Sequence, residues 1–270
     1  MLRDPTVHRL AILAGTTIAA FALTAPAHAE PQPLAAVDLA ESYVLSATDS
    51  TLNTYAGGAT AHLNRNAEGV TDARVECSHF INLLTTQAWA NIDTGTIVDL
   101  VDGPDAGTFS NAGEWHDAIV DGRSTNDTPG NDNTVALVQR PQWMDPSGEV
   151  LVRRGDILAI KHPAGNSTSG HMGLVQSVVP ISETADDHDS SQSSYAQFRV
   201  RITDSAGSPH SDDTRSAYPA GDRDGIGTGD IRVLVDPVTR QPVAWKFTMS
   251  TGATMRTEDI AVGTLIGGDN

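Results

Sequence analysis

Apolar side chains recur at helical spacing in the N-terminal half of the chain. In Ala35–Ala47 and in Cys77–Ala90 they return every three or four positions, and neither segment contains glycine or proline. Asn111 followed three residues later by Glu114 is the pattern of a capping box at the start of a short helix. The pattern therefore predicts three helices before the middle of the chain.

From about Gly155 the pattern changes to short apolar runs bounded by Gly, Pro, Asp and Ser. Such runs predict β-strands, and they are Ile157–Ile160, His171–Val179, Phe198–Thr203, Ile231–Val235 and Val243–Thr248. The segment Asp236–Pro242 predicts a hairpin turn between the last two. Helices followed by strands predict an α+β fold, with the helices packed on one face of an antiparallel sheet.

Four segments are too polar for regular buried elements. Thr48–Thr71 is rich in Gly, Asn and Thr, which predicts a loop with one helical turn near residues 61–64. Ser182–Ser194 is rich in Ser and Asp, which predicts a mobile surface loop. The acidic segments Asn126–Asn133 and Asp204–Arg215 are predicted to be solvated loops; calcium binding is the alternative, although neither has the spacing of an EF-hand.

The first 29 residues have the pattern of a secretory signal peptide. Arg3 and Arg9 precede a short apolar run, and Ala27-His28-Ala29 is an A-x-A cleavage pattern. The run is shorter than the ~20 residues of a transmembrane helix. The sequence thus predicts a secreted protein, periplasmic or extracellular, with residues 30–270 forming a single domain.

The charge of the chain narrows the range of partners. Asp and Glu number 34 against 17 Lys and Arg, which gives a net charge of −17. A chain this acidic is repelled by phosphate backbones and anionic lipids. Nucleic acids and membranes are therefore not expected as partners, and the sequence predicts no particular oligomeric state.

Cys77 is the single cysteine of the chain, so the protein has no internal disulfide. It stands at the start of a predicted helix, where free backbone N–H groups and the helix dipole favour a thiolate. The same N–H groups can stabilise an oxyanion formed when the sulfur attacks a carbonyl. The alternative is an inert buried thiol that packs like a small apolar side chain.

A nucleophilic cysteine needs an imidazole within hydrogen-bond reach. His171 opens a predicted strand directly after a Gly/Ser/Thr-rich loop, where its ring can face a helix start across the sheet. A structural histidine bonded to a backbone carbonyl is the alternative at this position. His79 follows Cys77 by two residues, which on a helix directs it away from the thiol.

Three segments, in order, resemble marks of the NlpC-type cell-wall peptidases and their CHAP amidase relatives. These segments are Glu76–Phe80, Gly155–Ala159 and Gly170–Val175. The resemblance implies a papain-like fold and a cysteine peptidase or amidase that cleaves an amide bond in cell-wall peptide or peptidoglycan through a thioester. It also implies that Cys77 is the nucleophile and His171 the base, with no metal or organic cofactor.

The family places a third polar group on the strand after the histidine. The matching strand here ends at Asp204, and antiparallel pairing would bring that carboxylate to the His171 ring. Asp204 is thus the predicted orienting residue, with Ser205 and His210 as alternatives. No motif of this chain matches the family's side-chain donor to the oxyanion; Tyr55 is the candidate for this role.

The chain departs from the family pattern in two places. His79 occupies a position where the family usually has a small residue, and an insertion at about residues 91–150 separates Cys77 from His171. The insertion is expected to include the helix that begins near Asn111 and to reshape or cover the cleft. These departures favour a second hypothesis, a catalytically inactive papain-like protein that is secreted as a binding or surface protein.

Overall fold

The computed structural model describes residues 32–58, 60–89, 92–102, 109–125, 135–252 and 254–267. Its α-helices are α1 Gln32–Ser46, α2 Cys77–Ala88, α3 Thr94–Asp102 and α4 Ala112–Asp121. Its strands are β1 Asn53–Thr54, β2 His62–Arg65, β3 Thr71–Arg74, β4 Val135–Gln139, β5 Ile157–Lys161, β6 Gly170–Pro180, β7 Ala196–Ala206, β8 Gly225–Val235, β9 Pro242–Lys246 and β10 Asp259–Gly267. Short 3₁₀ helices occur at Ser50–Leu52, Ser190–Gln192 and Thr214–Ala217.

The strands form two sheets. The larger sheet has the order β4-β10-β5-β6-β7-β8-β9, and every neighbouring pair in it is antiparallel. A further antiparallel bridge joins Trp245 on β9 to Arg256, just before β10. Strand β9, at one edge of the sheet, therefore approaches β10, which lies next to the opposite edge strand. The prediction of an α+β fold with a large antiparallel sheet is confirmed.

The large sheet is buried on both faces. Along β5, Ile157 and Ala159 pack into a core shared with the helices, whereas Leu158 and Ile160 pack into a second core. The helix-side core includes Phe80, Leu84 and Trp115; the second core includes Trp143, Phe198 and Trp245. Because successive side chains of a strand point to opposite faces, burial on both faces accounts for the unbroken apolar run of β5.

Helix α4 begins as its sequence predicts. The Asn111 side chain accepts from the Gly113 and Glu114 N–H groups, and the Glu114 carboxylate accepts from the Asn111 N–H, which completes the capping box. Gly122 ends the helix in the left-handed region at φ 61°. Helix α4 packs on β4, β5 and β10, so this part of the insertion lies against the sheet.

The prediction for residues 48–71 is wrong, and the predicted surface loop Ser182–Ser194 is mostly exposed but contains a short helical turn. The segment from residue 48 to 71 carries no helical turn near residues 61–64; it forms a 3₁₀ turn and most of a small sheet in the order β1-β3-β2. The loop after β6 contains a 3₁₀ helix capped by Asp189, whose side chain is buried and bonds Ser191. In both segments polar side chains bond the backbone, which composition alone does not indicate.

Besides the strands of the small sheet, the sequence patterns missed α3, β4 and β10. Strand β10 lies between β4 and β5 and pairs with both, although it comes last in the chain.

The predicted hairpin between β8 and β9 is present, with Asp236 bonded to Gln241 and Arg240 across the turn. In the part of the chain that the structure describes, no helix has the length and apolar composition of a membrane span.

Candidate catalytic site

Cys77 is the first residue of α2, and the small sheet holds it in place. Val75, two residues earlier, exchanges backbone hydrogen bonds with the segment Thr54–Ala56, and its carbonyl accepts from Ser205 Oγ on β7 at 2.7 Å. Glu76 is extended and begins the helix without a side-chain cap. These contacts fix the start of α2 against the end of β7. Cys77 itself is 5% exposed.

His171 is the second residue of β6. It pairs with Ile160 of β5, and the preceding Gly170 has φ 152°. A Cβ at Gly170 would stand 1.8 Å from the Ile160 carbonyl oxygen, so only glycine allows this close approach of the two strands. By allowing this approach, Gly170 fixes the position of His171 relative to β5.

Asp204 lies near the end of β7, where antiparallel pairing with β6 returns it to His171. The register pairs Leu174 with Thr203, and the Asp204 Oδ2 atom lies 2.7 Å from His171 Nε2. Both residues are buried, and Asp204 is fully enclosed. The expected contact between the two side chains is therefore present, while its catalytic role stays a prediction.

The surroundings of Asp204 keep its carboxylate ionised. Burial alone would raise its pKa, but the charges of His210 and Arg215 and the hydrogen bond from His171 outweigh burial and hold the pKa well below its usual range. An ionised carboxylate only accepts hydrogen bonds. His171 therefore donates its Nε2–H to Asp204, which leaves Nδ1 as the ring nitrogen free for another partner.

The Cys77 side chain lies close enough to the imidazole to affect the pKa of His171. Burial lowers the pKa of His171, but hydrogen bonds and charge interactions with Asp204 and Cys77 raise the pKa overall, to about 10. Burial together with the charges of Cys77 and Glu76 raises the Tyr55 pKa. Tyr55 thus keeps its phenolic proton beside the sulfur. The fold brings Cys77, His171 and Asp204 into one line of contacts.

A buried ion network supports the far side of Asp204. Arg215 Nη2 lies 2.9 Å from Asp204 Oδ1 and 2.7 Å from Asp213 Oδ2, and its side chain is fully buried. His210 Nε2 lies 2.5 Å from Asp204 Oδ2. The prediction that the segment from 204 to 215 is a solvated loop is therefore wrong. The segment turns inward because its charged side chains pair with one another in the interior of the protein.

Glycines of β8 make room for this network. A Cβ at Gly227 would stand 2.5 Å from Arg215 Nε, and one at Gly229 would stand 2.6 Å from Asp213 Oδ2. The alternating glycines of the β8 segment GIGTG thus mark a strand face against which another group packs closely. This spacing is the sequence signal that downstream side chains, here Asp213 and Arg215, pack against the strand.

His171, Asp204 and His210 also form a group of metal-ligand types. Their nitrogen–oxygen separations are 2.7 and 2.5 Å. Two ligands of one tetrahedral zinc ion lie about 3.3 Å apart, given metal–ligand bonds of about 2.0–2.1 Å. The shorter separations fit hydrogen bonds with a proton between each pair, and the Arg215 guanidinium on the same carboxylate opposes a further cation.

The remaining candidates lie off the line of contacts. Ser205 points to the Val75 carbonyl. His79 Nδ1 donates to the Glu76 carboxylate at 2.8 Å, and its ring centroid lies 4.4 Å from that of Phe109. His79 is thus directed away from the thiol, as its helical spacing predicts. The acidic segment Asn126–Asn133 and the predicted signal peptide lie outside the described residues.

Comparisons with protein-family models, curated proteins and solved structures found no match to this chain. The case for a function therefore rests on the three sequence motifs and on the geometry of the site.

Proposed function

We propose that the chain is a secreted, papain-like cysteine hydrolase that cleaves an amide bond in cell-wall peptide. The observation that carries the proposal is the line of contacts from Cys77 through His171 to Asp204. The imidazole donates to an ionised carboxylate, 2.7 Å away, and it lies close enough to a sulfur at a helix start for the two groups to interact. This is the arrangement that activates a cysteine nucleophile.

In the proposed reaction His171 takes the proton of the Cys77 thiol, and the sulfur forms a bond to the amide carbonyl carbon. The electron pair of the carbonyl moves to oxygen. When the tetrahedral intermediate collapses, the carbon–nitrogen bond breaks and His171 gives its proton to the departing amine. Water then attacks the thioester, His171 accepts a proton from the water, and the carbon–sulfur bond breaks to release the acid.

Backbone N–H groups at the start of α2 are the proposed donors to the oxyanion. The first N–H groups of a helix have no partner within it and carry the positive end of the dipole. Tyr55 is a second donor in this scheme, because its raised pKa keeps the phenol protonated and because it already contacts the sulfur. The two donors would act on the same side of the attacked carbonyl.

Cell-wall peptide as the substrate class is supported by the sequence. The segments Glu76–Phe80, Gly155–Ala159 and Gly170–Val175 resemble those of NlpC-type and CHAP enzymes, and the first 29 residues have the pattern of a secretion signal. The first and third segments contain Cys77 and His171, and the second begins β5, the strand that pairs with β6. The scheme needs no metal or organic cofactor.

The burial of Cys77 favours a second candidate, an inactive papain-like binding protein. At 5% exposure the sulfur offers little surface to a substrate. Cys77 belongs to the helix-side hydrophobic core, which is the environment of an inert thiol, but it also interacts with His171 and Tyr55, which favours the enzyme.

Alkylation of the native protein by iodoacetamide at pH 7 tests the proposal. Only the thiolate is alkylated rapidly, so loss of the imidazole that accepts the thiol proton should slow alkylation. We expect rapid modification of Cys77 in the wild type and in the control His162→Ala, whose imidazole bonds Thr168 away from the site. We expect slow modification in His171→Ala.

Activity is measured in parallel, as release of soluble peptide from peptidoglycan. The wild type and His162→Ala should release peptide, and Cys77→Ala should release none. A wild-type thiol that reacts only after denaturation, together with no release of peptide, would exclude the enzyme and favour the binding protein.

A further inference from the structure

Asp204 contacts a second imidazole that the proposed reaction does not use. His210 Nε2 lies 2.5 Å from the same carboxylate oxygen that bonds His171, and the His210 side chain is 2% exposed. The backbone N–H of His210 donates to Asp213 Oδ2 at 2.7 Å. Its ring stacks on Phe247 with centroids 4.7 Å apart and planes 2° from parallel. The imidazole is therefore fixed by its backbone, its ring face and its Nε2 atom.

The proton positions follow from the charge of Asp204. Because the carboxylate is ionised, it accepts from both rings, so His210 also donates its Nε2–H. His210 Nδ1 is buried and has no hydrogen-bond partner in the part of the chain that the structure describes. The two rings meet edge to face with centroids 5.9 Å apart. One oxygen thus serves two imidazoles that compete for its charge.

The other charged groups near His210 are few. Arg215 bonds the opposite oxygen of Asp204, Asp213 bonds the His210 backbone, and Arg256 lies over Phe247 at 5.5 Å from its ring centroid. None of them contacts the shared oxygen. The competition at Asp204 Oδ2 is therefore between the two imidazoles.

We propose that His210 is a positioning residue that shares the charge of Asp204 with His171 and thereby limits how tightly His171 holds its proton. The effect of this charge sharing on catalysis rests on the proposed function, in which His171 must return a proton to the leaving amine. A carboxylate that already accepts a second hydrogen bond stabilises an imidazolium less than a carboxylate that serves the imidazolium alone. His210 would thus keep His171 a strong enough acid for the cleavage step.

Two substitutions separate charge sharing from packing. His210→Phe keeps a flat ring to stack on Phe247 but has no N–H, whereas His210→Gln keeps a side-chain N–H donor. We expect the His171 pKa, followed by NMR titration of its ring, to rise by about 0.5 unit or more in His210→Phe and to return toward the wild-type value in His210→Gln. The alkaline limit of hydrolysis should move by the same amount and in the same direction.

The wild-type protein provides a measurement that needs no variant at the position. Its NMR spectrum should contain two strongly downfield imidazole N–H protons, and both should be lost in Asp204→Asn. A single such proton, an unchanged His171 pKa in His210→Phe, or equal shifts in the Phe and Gln variants would overturn the proposal.

These NMR readouts do not depend on turnover. A wild type that cleaves no amide but shows both protons and the expected shift would refute the proposed hydrolase and leave the charge sharing at Asp204 intact. A wild type that cleaves its substrate without the shift would refute the role of His210 alone.

Discussion

Asp204→Asn is the substitution that most directly tests the buried network. The side chain keeps its size but loses its charge, and an amide cannot accept at both positions where the carboxylate now does. At Oδ2 it meets two imidazole donors, and at Oδ1 it meets the Arg215 guanidinium at 2.9 Å. Whichever way the amide is turned, its NH₂ group faces at least one donor.

The size of the effect follows from burial. The side chains of Asp204 and Arg215 are both fully enclosed, so solvent does not replace the lost charge. Removing one partner of a buried ion pair costs about 3–5 kcal/mol, because the other charge remains buried. Asp213 still pairs with Arg215 at 2.7 Å, which places the expected loss toward the lower end. For a domain of this size the melting temperature should fall by about 6–20 °C.

Urea and thermal unfolding, followed by circular dichroism, measure this loss. Asp212→Asn is the matched control, because the same chemical change is made on a side chain that is 83% exposed and that pairs with Arg201 at 3.4 Å. Asp212 has φ 47°, a conformation that asparagine also tolerates, so the control should stay within about 0.5 kcal/mol of the wild type. An Asp204→Asn protein as stable as the control would refute the buried network as an energetic unit.

Two further predictions concern the same region. Gly227→Ala should lower stability by about 1–3 kcal/mol and slow alkylation of Cys77, because its Cβ would displace Arg215, whereas Gly221→Ala, which has no heavy atom within 4 Å of its Cβ, should do neither. The folded pKa of His171, about 10 against an ordinary 6.5, means that its stabilising contribution is complete below pH 6.5 and is lost as the pH rises through 10. Urea unfolding at pH 6 and pH 10 should therefore show a larger loss of stability in the wild type than in His171→Gln, and parallel losses would contradict this assignment.

Local patterns predicted the elements that carry the candidate site. The N-terminal cysteine of α2, the capping box of α4 and the strand that begins at His171 each depend on neighbours within a few residues, so the sequence alone indicates them. Strand β10 and the small sheet were missed because their pairing partners are distant in sequence. Their stability comes from the sheet they join, which local propensity does not report.

For the segment Asp204–Arg215, the sequence predicted exposure where the structure shows buried side chains. Asp204, His210, Asp213 and Arg215 have the composition of a solvated loop, yet all four are buried. Charged groups are buried when partners of opposite charge lie at the right distance, and those partners are set by the fold of the whole chain. Composition therefore predicted the wrong environment for the residues that hold Asp204.

By itself, the sequence determined α2, α4 and the strands with clear apolar runs, because hydrophobic periodicity and capping act between near neighbours. It selected Cys77, His171 and Asp204 through their motifs and their order. Only the tertiary structure decided that the three meet and that His210 and Arg215 share the same carboxylate. The physical reason is that hydrogen bonds and ion pairs depend on distances between segments far apart in the chain, and these exist only once the sheet has paired.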